Sequence, residues 1–144
     1  MLLLIRISGL VEIPGKLEES LFRLRLRRKY SAVLVLPTKE NLALIKKVRN
    51  TIAFGTINSE SLLALLEKRA QPIDKKKKDS KVLASGILAQ EKKGKLDLIS
   101  LGIKPFFRLH PPRGGIDSKV HFPTRKGVLG DNKEKINDLL GKML

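Results

Sequence analysis

Three short apolar runs, residues 2–7, 32–36 and 51–54, alternate with two stretches that carry helical periodicity. This alternation constrains the first part of the chain more than any other feature. A strand that is apolar at nearly every position belongs inside a sheet and not at its edge. Gly9 and Pro14-Gly15 close the first run, Pro37 the second and Gly55 the third. Thr38 stands where a helix N-cap is needed, ahead of Leu42, Ile45 and Val48 on one face and Lys46, Lys47 and Arg49 on the other. Residues 15–29 hold two patterns at once. Leu17, Leu21 and Leu24 recur at helical spacing, whereas residues 22–27 alternate as a strand does. The length of the stretch, Glu18 and Glu19 early and Arg27, Arg28 and Lys29 late favour a helix, because that order complements the helix dipole. Residues 1–57 therefore read as a βαβαβ core of the α+β class, a small sheet with helices on one face.

Residues 58–144 read as a C-terminal extension. Asn58 or Ser59 is placed to cap a helix with Leu62, Leu63, Leu65 and Leu66 on its apolar side, and Pro72 stops it. The lysine run at residues 75–78 has the composition of a solvated loop. A short helix is expected over residues 82–90, while residues 96–103 carry no decisive pattern. Residues 104–130 are basic and punctuated by glycine and proline. Within them Phe107 and Leu109 alternate with Arg108 and His110 as in a half-buried strand, which Pro111-Pro112 must end. Arg113 can fork onto a phosphate, and Gly114-Gly115 lets another backbone come close. Lys119, His121, Arg125 and Lys126 follow, spaced by Gly127 and Gly130. The same residues also fit a Pro/Gly connection with incidental charge. High charge and few apolar residues predict that residues 110–130 lack a fixed shape in the free protein. At the end, Asp131 and Glu134 have capping-box spacing before a helix with Ile136, Leu139, Leu140 and Met143 on one face.

Charge narrows the function classes. Apolar residues are 42% of the chain but aromatics only 4%, with no Trp, so the core must be aliphatic. Lys and Arg number 30 against 14 Asp and Glu, a net charge of +16. Like charges repel in a compact state, so this excess implies a polyanionic partner, nucleic acid before an acidic membrane surface. The absence of Cys rules out disulfides and thiolate metal sites, and two His alone do not close a zinc site. The opening Met-Leu-Leu-Leu-Ile meets Arg6 too soon for a signal peptide or a membrane span, so a cytosolic protein is expected. Catalysis finds little support. His110 and His121, with Asp117 as the nearest acid in sequence, lack a nucleophile motif, and Gly114-Gly115 lacks the Lys-Ser/Thr of a P-loop. No strand carries the stacked aromatics of an RRM, and the single Tyr is Tyr30. Arg-rich helix ends and dispersed lysines suit phosphates and the shape of a folded RNA instead.

At this point the residues resemble a known family, the large-subunit ribosomal protein thirty family in its archaeal form, relative of the eukaryotic large-subunit protein seven. Leu24-x-Leu26-x-Arg28-x-x-Ser31-x-Val33 and Leu44-Ile45-x-x-Val48 match its smaller bacterial-type core. Ile52-Ala53-Phe54-Gly55 and Arg108-Leu109-His110-Pro111-Pro112-Arg113-Gly114-Gly115 match the longer archaeal type. Thr51 departs from the pattern, where a larger apolar residue is expected, and residues 75–78 have no counterpart in it. The resemblance implies an α+β core with a three-stranded sheet and two helices, helix at residues 22–27, and a basic C-terminal extension. It also implies a structural place on the large ribosomal subunit in the cytoplasm, with large-subunit rRNA and neighbouring ribosomal proteins as partners. No cofactor, metal, small-molecule substrate or membrane is expected. The expected RNA-contacting residues are Arg23, Arg25, Arg27, Arg28, Lys46, Lys47, Arg49, Arg108, His110, Arg113, Gly114, Gly115, Lys119, His121, Arg125 and Lys126. A free RNA-binding regulator or a ribosome-assembly factor on the same fold is the alternative, and an RNA-modifying or RNA-cleaving enzyme using His110 or His121 is a third.

Overall fold

A computed structural model of the chain describes residues 1–9, 11, 13–73, 79–116 and 118–144. The lysine run at 75–78 and Asp117 lie outside the described residues. The fold is α+β, built on one mixed sheet in which β1 (Leu2–Arg6) is an interior strand. It runs antiparallel to β2 (Ser31–Val35) and to β3 (Ile52–Thr56), with Leu4 opposite Val33 on one side and Phe54 on the other.

The sheet has six strands where three were expected. The basic segment supplies the others: β4 (Phe107–Arg108) joins β2 antiparallel, and β6 (Gly127–Asp131) joins β3 parallel, with β5 (Ser118–His121) outside it. An open three-stranded sheet leaves unpaired N–H and C=O groups along both edges, and these additions cover part of each, at Ser31 and Ala32 of β2 and at Ala53 and Phe54 of β3. Among the described residues of 110–130, β5, β6 and residues 142 and 143 give the backbone hydrogen-bond partners. His110 N donates to Met143 O at 3.0 Å and Arg113 N to Lys142 O at 2.9 Å.

Side chains of β1 alternate between two packed layers, which is why no position could be polar on the surface. Leu4 packs with Val33, Ile45, Val48 and Ile52 beneath α1 (Gly15–Arg23) and α2 (Lys39–Val48). Leu3, Ile5 and Ile7 pack on the opposite face with leucines of α3 (Ser59–Arg69), with Leu83 and Ile87 of α4 (Ser80–Lys92), and with Ile136, Leu140 and Met143 of α5 (Ile136–Met143). The expected single helical layer is thus the α1–α2 side, and helices of the extension cover the other. No helix among the described residues is long and apolar enough to cross a membrane.

Local signals hold at two helix starts. Thr38 Oγ1 accepts from Asn41 N at 3.3 Å, and Asn58 Oδ1 from Ser61 N at 2.7 Å. Elsewhere tertiary demands win. The helix over residues 15–29 ends at Arg23, and residues 24–27 are neither helix nor strand. Leu24 and Leu26 are both buried. Two residues apart on a helix they would face nearly opposite ways, whereas Arg25 at φ 61° turns the chain so that both point inward. Gly55 does not stop β3 but lies within it. The capping box is not formed: Asp131 ends β6, its Oδ1 accepts from Lys133 N at 2.9 Å, and buried Asn132 holds the turn before α5 by donating to Val128 O and Gly130 O. Thr51, polar where an apolar residue was expected, is buried and donates Oγ1 to Val48 O at 2.8 Å, closing the end of α2.

Candidate nucleic-acid interface

A dense cationic feature among the described residues begins with a residue that sequence reading passed over. Arg6, the last residue of β1, is fully buried. Among the described residues its guanidinium meets backbone carbonyls in place of a carboxylate: Nη1 donates to Leu26 O at 2.7 Å and Arg27 O at 3.0 Å, Nε to Ser8 O and Nη2 to Gly9 O, each at 3.0 Å. Burial lowers its pKa from the ordinary value, and Glu18 nearby pulls the other way. The result is a clamp on the loop that connects α1 to β2.

That loop, residues 24–30, is bracketed by Arg25 and Tyr30, each at φ 61°, a region that non-glycine residues seldom occupy. Tyr30 N donates to Arg6 O at 2.8 Å, and Ser31 Oγ to Arg28 O at 2.5 Å. With the backbone held, Arg25, Arg27, Arg28 and Lys29 all extend into solvent. The Arg27 guanidinium lies 5.7 Å from the centre of the Phe22 ring and the Lys29 ammonium 4.8 Å from that of Tyr30.

Strand pairing then brings the second half of the chain to this loop. Ser31 is opposite Arg108 and Ala32 opposite Phe107, and Leu109 N donates to Tyr30 O at 2.9 Å. Arg108, itself 5.6 Å from the Phe106 ring centre, therefore faces the arginines of the loop. Between them opens a cleft of about 710 Å³, lined by Arg25, Arg27, Arg28, Lys29 and Tyr30 from the loop and by Pro105, Phe106, Arg108 and Leu109 from around β4. The arginines expected at residues 25, 27, 28 and 108 are thus brought together. Tyr30, Phe106 and Lys29 were missed as lining residues, although an aromatic two positions from an arginine, Tyr30 after Arg28 and Phe106 before Arg108, is a signal that sequence alone carries.

The other expected residues lie elsewhere. Arg23 is paired with Glu19 at 2.7 Å on the surface of α1 and lines a separate small depression. Lys46, Lys47 and Arg49 stand exposed on and just after α2. His110 and Arg113 are exposed where the chain hydrogen-bonds to the end of α5. Gly114 and Gly115 have φ of +82° and +77°, with no atom of a described residue, their chain neighbours aside, within 4 Å of where a Cβ would be. Lys119 is exposed on β5, and Arg125 and Lys126 are exposed in the turn Thr124–Lys126. His121 is tied down, its Nε2 2.9 Å from Asn50 Oδ1 and its Nδ1 2.7 Å from the place of a Cβ on Gly130.

No family model matches this chain. Full-length relatives do. Large ribosomal subunit protein uL30 of Archaeoglobus fulgidus is 35% identical over 153 residues, spanning 99% of both chains. The protein of that name from Methanococcus maripaludis is 34% identical over 154 residues, with 97% of each chain covered. The Aeropyrum pernix protein is 35% identical over 153 residues, covering 97% of this chain and 96% of its own. At this identity over nearly the whole length of both chains, the chain belongs to the uL30 family of large ribosomal subunit proteins.

Proposed function

We propose that the protein is a structural constituent of the large ribosomal subunit that binds and stabilises folded rRNA through basic side chains and carries out no reaction of its own. The observation that carries this reading is the convergence of Arg25, Arg27, Arg28 and Arg108 on one cleft in a chain of net charge +16. Guanidinium groups projected from a clamped loop suit phosphates in a set arrangement, where affinity comes from charge and selectivity from fit. Residues 1–57 act as the core, and residues 58–144 as an extension whose basic segment 104–130 supplies further contacts through His110, Arg113, Lys119, Arg125 and Lys126. Lys46, Lys47, Arg49 and Arg23 add charge on the α1–α2 side. Large-subunit rRNA and neighbouring ribosomal proteins are the partners, in the cytoplasmic ribosome.

Binding to purified large-subunit rRNA, compared with an equal mass of unrelated folded RNA across a salt series, tests the reading. Each neutralised phosphate contributes a slope of roughly 0.7–0.9 in log K against log salt. The rRNA is expected to keep its advantage as salt rises. Convergence of the two affinities would reduce the charge to a generic polycation. Sedimentation adds a second check, since a structural constituent stays at one copy per large subunit after a high-salt wash, whereas a regulator or assembly factor is lost.

A further inference from the structure

We propose that the cleft between the arginine loop and β4 receives a single unpaired nucleotide of the bound RNA, its base stacked against Phe106 and its flanking phosphates held by the loop arginines. The inference rests on the RNA-binding reading above and names what this part of the surface recognises. Phosphate contact alone needs only exposed cations, as on the outer face of α2. The cleft offers more. Its volume of about 710 Å³ lies in the range of roughly 300–1,000 Å³ typical of sites that enclose a small ligand. Part of its lining is apolar, with half-buried Tyr30, Pro105 and Phe106 and buried Leu109. A phosphate has no use for that surface, whereas a base has a π-face to lay on it.

Charge and preorganisation agree. Among the described residues no carboxylate lines the cleft, so none of them repels an anion there. Each lining ring already has a cation over one face, Arg108 at 5.6 Å from the Phe106 centre and Lys29 at 4.8 Å from that of Tyr30, which brings an aromatic surface and a phosphate ligand together. The left-handed backbone at Arg25 and Tyr30 costs conformational energy that the Arg6 clamp offsets, a pattern that clusters at ligand sites.

The test uses the full chain and two RNA hairpins, one with a single 2-aminopurine bulge and one with the same stem fully paired. Stacking tolerates any base, so no particular sequence is required. The wild-type protein is expected to bind the bulged hairpin about tenfold more tightly and to quench its fluorescence. Phe106→Leu, which keeps apolar bulk but removes the ring, is expected to lose about tenfold on the bulged hairpin, to leave the paired one unchanged and to keep the salt slope. Phe106→Tyr should behave as wild type. Equal binding of the two hairpins by wild type, or no quenching, overturns the nucleotide site while salt-dependent RNA binding survives. Loss of all RNA preference in the rRNA comparison overturns both. Quenching is read on the wild-type protein, so it does not depend on how any variant folds.

Discussion

Gly55 and Lys133 meet through bare backbone: a Cβ on Gly55 would lie 2.1 Å from the Lys133 carbonyl oxygen and 3.0 Å from two side-chain atoms of Ile136. The middle of β3 and the turn before α5 can touch only because residue 55 has no side chain. Gly55→Ala is expected to lower the free energy of unfolding by about 1–3 kcal/mol, the usual cost of forcing atoms into a packed site. Urea denaturation reads the loss, and amide exchange should quicken first in α5, the element pushed away. Unchanged stability with unchanged exchange would show that this contact can open without cost.

Arg6 offers a second test. Replacing it with Met keeps an unbranched apolar stem but leaves the carbonyls of Leu26 and Arg27 without their donor. A buried polar group left unpaired costs about 1–3 kcal/mol, so Arg6→Met should destabilise the fold by roughly 3 kcal/mol in denaturant titration. Arg6→Lys, with fewer donors in a different geometry, should fall between the two. RNA affinity should drop as well, because the loop carrying Arg25, Arg27 and Arg28 loses its anchor. A variant as stable as wild type would mean that water replaces the guanidinium.

Asn58 bridges two elements, capping α3 through Ser61 N at 2.7 Å while its own N–H donates to Asn137 Oδ1 at 3.1 Å. Asn58→Ala removes only the side-chain half of this arrangement. The expected cost is about 1 kcal/mol, and thermal unfolding should shift down by about 2–4 °C, with Asn58→Ser close to wild type. A shift as large for Ser as for Ala would point away from capping.

Arg113 and Gly114 are predicted to act in assembly and not in folding. Arg113→Ala should be under-represented in large subunits when expressed in competition with wild type, at unchanged thermal stability. Gly114→Val adds a side chain where φ is +82° and where no atom of a described residue, its chain neighbours aside, lies within 4 Å, so its penalty within the protein is local backbone strain, roughly 1–2 kcal/mol. Under-incorporation beyond what that strain explains would place RNA against this loop. Equal incorporation of both variants would remove the loop from the interface.

Elements whose signals are local were legible. The apolar run of β1 marked an interior strand, and Thr38 and Asn58 announced their helices, because a strand's burial pattern and an N-cap depend on neighbours a few residues away. The α1 boundary was not legible, since Leu24 and Leu26 obey a core shared with Val33 and Ile52 and not the helix they follow. Nor was the capping function of Asp131 and Glu134, which share capping-box spacing yet sit on a strand end and a turn set by Asn132.

The candidate site divides the same way. Composition and the Arg108 to Gly115 motif, read as sequence, were enough to name a basic surface, an anionic partner and a family. Only the tertiary structure could show that residue 108 lies opposite residue 31, that Arg6 holds a loop 20 and 21 residues further along, and that Gly55 carries the turn at Lys133. Charge excess is a sum over residues and survives any arrangement of them. A cleft is a relation between segments far apart in the chain, and it exists only once strand pairing and burial have chosen which segments meet.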